Sequence, residues 1–183
     1  GVMTVHDLIA EVAGLFALAA ARRDRVGAIL FDDGVRTVIP PRLGWRHGLR
    51  VVREVLAAEP RGDGTALVDA VRAAGRILRR RGVVIILADQ TCELPRRELV
   101  ALAGRHEVVV VRLGDTLLEN GLAGAALPVV DAEGGRRGVV RGPAEVQQQA
   151  APPGVDVIEL NTGEDYLPAV RAMLESRERR RVR

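Results

Sequence analysis

Two runs of β-branched residues constrain the fold of this chain more than any other feature. The runs "GVVIILAD" (82–89) and "EVVVVRL" (107–113) are apolar without alternation, which is typical of strands buried on both faces of a sheet. The segment between them, 94–106, has the pattern of a helix, with Pro95 in its first turn. The order strand, helix, strand predicts a parallel sheet, because parallel strands need a crossover connection.

The first part of the chain continues this alternation. Segment 4–24 predicts a helix, with Thr4 as its N-cap. Segment 25–33 then predicts a buried strand. The turn sequence Asp32-Asp33-Gly34 and the short segment 35–41 predict a return strand, and two prolines in that segment are typical of a sheet edge.

The remaining segments complete an α/β pattern. We predict a three-layer, Rossmann-like fold with a mostly parallel sheet, helices on both faces, a short antiparallel edge strand and a small hairpin. Residues 1–183 are expected to form a single domain. The segments are helices at 44–60 and 65–81, a hairpin near 127–142, a short helix and a loop at 143–153, a strand at 154–161, and a closing helix at 162–181 with Thr162 as N-cap.

Composition excludes several classes of protein. No apolar run approaches the ~20 residues that a membrane-spanning helix needs. All 27 basic residues are arginine, but 24 acidic residues leave a net charge of only +3. Nucleic-acid binding is therefore not favoured, since aromatic stacking residues and a recognisable reading motif are also lacking. We expect a cytoplasmic protein without disulfides, because the chain has one cysteine.

Individual histidine, cysteine and tryptophan side chains give no sign of chemistry. His6, His47 and His106 are scattered and are expected at the surface or its boundary. Cys92 has no nearby histidine that would activate it as a nucleophile, and a single cysteine excludes a cysteine-based zinc site. Trp45 is expected to pack against the domain rather than form an interface.

Polar residues follow the predicted strands where parallel strands place functional groups. Asp32 and Asp89 each end a strand, and the loop before Thr65 reaches the same carboxyl edge. For Asp89, a turn or capping role and a metal-binding role are both consistent with the residues. For Thr65, local sequence favours a helix N-cap, and that role is compatible with a second one at the edge.

Four segments, 22–71, 83–89, 99–115 and 154–170, resemble a von Willebrand factor A-like family. It is the domain-of-unknown-function family fifty-eight, often encoded beside MoxR-type AAA+ ATPases. The resemblance implies a metal-ion-dependent adhesion site for Mg²⁺. Such a site has a D-x-S-x-S loop after the first strand, a threonine on a second loop and an aspartate on a third. Thr65 and Asp89 match the last two positions.

The chain departs from that pattern in ways that matter for the site. It contains no D-x-S-x-S sequence, and Ala66 and Ala88 stand where the family has aspartate and serine. By resemblance, the first strand of the family lies upstream of Gly1 in sequence. In the sheet, it lies between the strands at 25–32 and 82–89. The domain is thus expected to be N-terminally incomplete, with Thr65 and Asp89 as remnants of a partial Mg²⁺ site.

A missing central strand would leave two strand edges exposed or pairing with each other. Exposed edges promote association between chains, so residues 1–183 are expected to be marginally stable or to self-associate.

The functional hypothesis is a non-enzymatic protein-interaction domain. By resemblance, its partner is a MoxR-type AAA+ ATPase, in complex assembly, maturation or chaperone-like work. The sequence has no phosphate-binding loop, no Ser-His-Asp arrangement and no metal-binding His/Cys cluster. The alternatives are a Mg²⁺-dependent phosphohydrolase that uses Asp32 and Asp89, and nucleic-acid binding through the arginines.

Overall fold

The computed structural model describes residues 3–59, 64–115, 126–130, 137–141 and 150–181. The helices of this part of the chain are α1 (Val5–Ala21), α2 (Trp45–Leu56), α3 (Leu67–Ile77), α4 (Arg96–Ala103) and α5 (Leu167–Arg181). The strands are β1 (Val26–Phe31), β2 (Val35–Arg42), β3 (Val83–Asp89), β4 (Glu107–Gly114), β5 (Ala126–Val130), β6 (Arg137–Arg141) and β7 (Val155–Asn161).

A parallel three-stranded sheet carries the main core. Its order is β3-β4-β7, and the three strands are in parallel register, with Ile86 opposite Val110 and Val110 opposite Val157. The four consecutive valines of β4, 108–111, are almost completely buried. The prediction of a parallel sheet with a fully buried strand at 107–113 is confirmed.

Helices cover both faces of this sheet, because the side chains of β4 alternate between two clusters. Val108 and Val110 pack with residues of α3 and α4. Val109 and Val111 pack with residues of α1 and α5. The arrangement is the predicted three-layer α/β fold.

The first two strands form a separate antiparallel hairpin. Ala28 pairs with Ile39, and the predicted turn at 32–34 joins the strands. A third apolar cluster packs this hairpin against α1 and α2, with Ala17 and Val51 in its centre. Among the described strands, β1 pairs with β2 alone and β3 with β4 alone. The expected single sheet is therefore divided, and α1 contacts both parts.

The division corrects the expected burial of two strands. Segments 25–33 and 82–89 were expected to be buried, but β1 and β3 are mostly half-buried, and the side chain of Val83 is 51% exposed. Each strand has a hydrogen-bonded neighbour on one side only, among the strands described. An apolar sequence predicts that helices cover both faces of a strand. It does not show whether a second strand is hydrogen-bonded to the other edge of that strand.

Helix starts follow the sequence at α1 and differ at α3 and α5. Thr4 caps α1 as predicted: its Oγ1 accepts from the Asp7 amide at 3.1 Å, and Thr4 hydrogen bonds lower the pKa of Asp7. The prediction for Thr65 was wrong, since α3 begins at Leu67 and Ala66 occupies the cap position. The prediction for Thr162 was also wrong, since α5 begins five residues later.

The displaced Thr162 has another contact. Its hydroxyl donates to Asp115 Oδ1 at 3.1 Å, which joins the end of β7 to the residue that follows β4. The predicted hairpin near 127–142 is confirmed by the antiparallel pairing of β5 and β6. The predicted short helix and loop at 143–153 lie mostly outside the described residues. No helix within the described ranges is both long enough and apolar enough to cross a bilayer.

His106 is buried, which corrects its expected surface position. It is 3% exposed, and neither ring nitrogen has a hydrogen-bond partner within the described residues. Burial, with a smaller contribution from Arg105, lowers the pKa of His106 below its usual 6.5. The folded protein therefore contains neutral imidazole at neutral pH.

We expect this histidine to make stability fall in acid. The unfolded chain takes up a proton near pH 6.5, whereas the folded chain does so only at lower pH. The free energy of unfolding should therefore decrease as pH falls from 7.5 towards 5, by at most about 1.4 kcal/mol per pH unit from this group. Urea unfolding at several pH values measures the slope, and His106→Leu should reduce it. His6→Leu is the exposed control, and an unchanged slope in His106→Leu would contradict the assignment.

Candidate functional site

A large cleft separates the two β-structures. All residues of β1 and β3 line it, α1 contributes Ala13 and Phe16, and α3 contributes Ala70 and Ala74. Its volume is about 2870 Å³, whereas pockets for small molecules are roughly 300–1,000 Å³. The cleft therefore has the size and the apolar lining expected for a segment of polypeptide.

The two strands that border the cleft run in the same direction. The backbone amide of Ala66, just before α3, donates to the carbonyl of Asp32 at the end of β1. The first half of α3 shares a cluster with the second half of β3, and Phe31 packs against that cluster. The carboxyl ends of β1 and β3 consequently meet at the same rim of the cleft.

Hydrogen bonds show which peptide groups of β3 face the cleft. The Gln90 amide donates to the Leu113 carbonyl at 3.0 Å, and the Glu107 amide donates to the Gly82 carbonyl at 2.9 Å. Peptide groups of a strand point alternately to its two sides. Even-numbered residues of β3 therefore bind β4, and odd-numbered residues such as Ile85 and Leu87 direct their N–H and C=O groups towards the cleft.

The carboxyl rim of the cleft carries both residues singled out by the family pattern. Thr65 and Asp89 line it together with Asp32 and Thr91. Thr65 is exposed, and the bond from Ala66 to Asp32 holds its loop against the end of β1. The parallel strand directions thus bring these side chains to one edge, as the sequence suggested.

The carboxylate of Asp89 makes a local turn. Its Oδ1 accepts from the Thr91 amide at 2.7 Å and from the Thr91 hydroxyl at 2.5 Å. Aspartate side chains commonly stabilise turns by bonding to a backbone amide two residues on. These contacts agree with the interpretation of Asp89 as a turn or capping residue. Both of them use the same carboxylate oxygen, Oδ1.

Replacing Asp89 should separate its acceptor role from its charge. Asp89→Ala removes both bonds to Thr91 and should lower the free energy of unfolding by about 1 kcal/mol. Asp89→Asn keeps an acceptor oxygen and should lose less than half of that. Urea unfolding curves measure both changes. Equal losses in the two variants would show that charge, rather than the turn, accounts for the stability contributed by Asp89.

Asp32 is engaged by an arginine on the hairpin. Arg36 Nε donates to Asp32 Oδ1 at 2.6 Å, and Arg36 also lies 3.3 Å from Asp33. The hydrogen bond with Asp32 raises the pKa of Arg36 further above its usual value. The pair closes the turn between β1 and β2, which agrees with the prediction that Asp32 and Asp33 build the hairpin.

The described residues do not by themselves fit a Mg²⁺ site. They contain no group of three or more His, Cys, Asp or Glu side chains that could hold a metal ion. Thr65 and Asp89 offer oxygen atoms of the kind that Mg²⁺ prefers, but octahedral coordination takes six ligands. Waters alone would have to supply most of them, and Asp89 Oδ1 is already bonded to Thr91.

Two arginine features near the cleft were not recognised from the sequence. Arg112 of β4 is buried and donates to the carbonyl of Gln90, which fixes the loop after β3 behind the carboxyl rim. The sequence signal for the buried Arg112 was the single charged residue within the apolar run "VVVVRL". At the opposite, amino rim, Arg79, Arg80 and Arg81 are exposed and line the cleft. They were expected in a helix, but α3 ends at Ile77.

Comparisons with known proteins place this chain. It is 26% identical over 192 residues to the uncharacterized proteins Rv1480 of Mycobacterium tuberculosis and Mb1516 of Mycobacterium bovis, covering 93% of this chain. The chain spans 60% of the length of these relatives. Its fold resembles the crystal structure of the conserved hypothetical protein BatB from Bacteroides thetaiotaomicron, at 18% identity and a TM-score of 0.60, with 92% of this chain and 87% of that one covered. Residues 2–147 match the family described as Protein of unknown function DUF58, and the chain belongs to that family.

Proposed function

We propose that the chain is a non-enzymatic protein-interaction domain that takes up an extended polypeptide segment in the cleft between β1 and β3. The observation that carries this proposal is that, among the described strands, β1 and β3 each have one edge with no paired strand, and both edges border one apolar cleft. A strand placed there gains main-chain hydrogen bonds from both neighbours. Strand addition to an exposed sheet edge is a common mode of peptide recognition.

The segment corresponds, in this proposal, to the first strand of a von Willebrand A-like domain. In the resembling family that strand lies between the counterparts of β1 and β3 and ends in the metal loop. A parallel strand in the cleft would end at the carboxyl rim, beside Thr65 and Asp89. The part played by this chain is then to present one hydroxyl and one carboxylate to whatever follows the inserted strand.

The proposed partner of the completed domain is a MoxR-type AAA+ ATPase, in assembly, maturation or chaperone-like work. The support is the family resemblance and the position of the carboxyl rim. An enzymatic role for Asp32 and Asp89 is not favoured, because Arg36 engages the first carboxylate and Thr91 the second. A nucleophile or general base needs a carboxylate that is available to substrate.

A charge reversal at the rim tests the interaction. The full-length protein and the MoxR-type ATPase from the same genome would be mixed and the recovered complex quantified. Asp89→Arg should lower recovery at least about tenfold, because it reverses the charge that the carboxyl rim presents to the partner. Asp69→Arg is the matched control, because Asp69 lies on the exposed side of α3 outside the cleft lining. Unchanged recovery with Asp89→Arg, or no complex with the unaltered protein, would contradict the proposed partnership.

A further inference from the structure

The apolar arc of α2 is wider than the rest of the described structure covers. Trp45 was expected to pack, but it is 50% exposed. Leu49 and Leu56 are also exposed, and Val52 is half-buried. The spacing of these four residues is 4, 3 and 4, and at 3.6 residues per turn they fall within about 60° of one another. They are called the α2 seam below.

The other side of this apolar arc is the side on which α2 packs against the rest of the domain. Gly48, Val51 and Val55 are buried, and they face α1 and the β1–β2 hairpin. A Cβ atom at Gly48 would collide with the side chain of Ala21, so the two helices approach each other closely. Val52 also packs against this cluster, so the α2 seam borders the buried face of the helix, and its exposed members are Trp45, Leu49 and Leu56.

Arginines border the α2 seam. With Trp45 and Val52 at d positions and Leu49 and Leu56 at a positions of a heptad, Arg46 and Arg53 occupy e positions. Both are exposed, and Arg53 lies 3.6 Å from Glu54. In coiled-coil interfaces, e-position charges select the partner through salt bridges. The border of the α2 seam is therefore complementary to acidic side chains.

The narrow shape of the α2 seam favours a partner helix over other binding partners. A narrow stripe of a and d positions is the pattern of a helix–helix seam, whereas membrane-surface helices have a broad apolar face. A second copy of this chain offers no acidic side chain at these positions. Its e positions are arginines, which repel Arg46 and Arg53 in an antiparallel pairing, and its g positions are the buried Gly48 and Val55. An acidic amphipathic helix satisfies both the apolar spacing and the charge.

We propose that the α2 seam binds an amphipathic helix of another protein, with apolar residues in heptad spacing and acidic residues beside them. This surface is separate from the cleft and is independent of the function proposed for it. A contact of three helical turns is small, so binding in isolation is expected to be weak, with a Kd on the order of 10–100 μM.

The test uses two synthetic 21-residue helical peptides, both with a leucine seam. One carries glutamate at the e and g positions and the other carries lysine. Trp45 is the single tryptophan of the chain, so a blue shift of its fluorescence reports burial of the α2 seam directly. The acidic peptide should give a saturable blue shift, and the basic peptide should bind at least about tenfold more weakly.

Charge-reversed variants, and tests of a lipid surface and of self-association as alternative partners, complete the experiment. The double variant Arg46→Glu, Arg53→Glu should invert the preference between the peptides. Leu49→Glu should abolish binding, whereas Leu167→Glu, at an exposed position of α5, should not. No blue shift with the acidic peptide would overturn the proposal. So would a blue shift on vesicles of anionic and zwitterionic phospholipid without peptide, or self-association that Leu49→Glu removes.

Discussion

The backbone amides of Ile85 and Leu87 are expected to exchange with solvent at least ~100-fold faster than those of Ile86 and Ala88. These residues are neighbours in one strand, but alternate amides face β4 and the cleft. The even-numbered amides are held in the β3–β4 ladder, and the odd-numbered ones point away from it. Hydrogen exchange followed by NMR measures each amide separately, so the four residues control for one another.

Protein concentration is the necessary control for this experiment. Exposed strand edges can pair between chains, and such pairing would protect the same odd-numbered amides. A dilution series, with sedimentation velocity at each concentration, separates the two situations. If Ile85 and Leu87 are as protected as Ile86 in a monomeric 183-residue chain, the edge of β3 is not free, and the proposed uptake of a strand there is wrong.

The same measurement follows uptake of a strand. In a longer protein whose additional segment fills the cleft, Ile85 and Leu87 should become as slow to exchange as Ile86. The amides of β4 should change little, because both of its edges are already paired. Protection that rises uniformly over β3 and β4 would instead report a general gain in stability rather than a new strand neighbour.

Leu8→Ala is expected to lower the free energy of unfolding by about 2–5 kcal/mol. Leu8 of α1 is completely buried, and it packs in the cluster shared with Val109, Val111 and α5. The truncation removes buried methyl groups and leaves a cavity that neighbouring side chains fill only partly. Urea unfolding of the variant and the parent chain measures the difference.

The position of Leu8 gives this substitution a second expected effect. The described strands of the hairpin and of the parallel sheet share no hydrogen-bonded ladder, and α1 contacts both. Loosening α1 should therefore reduce the cooperativity of unfolding as well as the midpoint. Leu167→Ala is the matched control, since Leu167 is largely exposed, and its change should stay within about 0.5 kcal/mol. A similar small change for Leu8→Ala would contradict the bridging role of α1.

The sequence predicted the features that depend on side-chain pattern. Uninterrupted apolar runs identified β3 and β4 as strands of a parallel sheet, and the parallel rule placed Thr65 and Asp89 at one edge. Burial of His106 and exposure of Trp45 were not predictable in this way. A lone histidine has the same local sequence pattern in a core as on a surface. The α2 seam has the apolar spacing of a buried helix face, and only the packing of α2 on α1 shows that most of the seam is exposed.

The cleft depended on information that side-chain periodicity does not contain. Hydrophobic pattern shows that β1 and β3 are covered by helices, but it does not show whether a neighbouring strand binds each backbone edge. Local cap preference also gave the wrong helix start at Thr65, because the preceding loop is bonded to the end of β1 through Ala66. The cap position is held by Ala66, which makes this tertiary hydrogen bond, and local sequence does not reveal such a contact.

The two ends of the cleft differ in charge, with Arg79, Arg80 and Arg81 at the amino rim and Asp89 at the carboxyl rim. An extended segment entering this space experiences a field along its length. A segment with its acidic end at the arginines is attracted at that end, and the reversed orientation is opposed there. In the proposed uptake, this charge difference favours one orientation of a segment whose two ends differ in charge. Added salt should weaken that preference, since the screening length is about 8–10 Å.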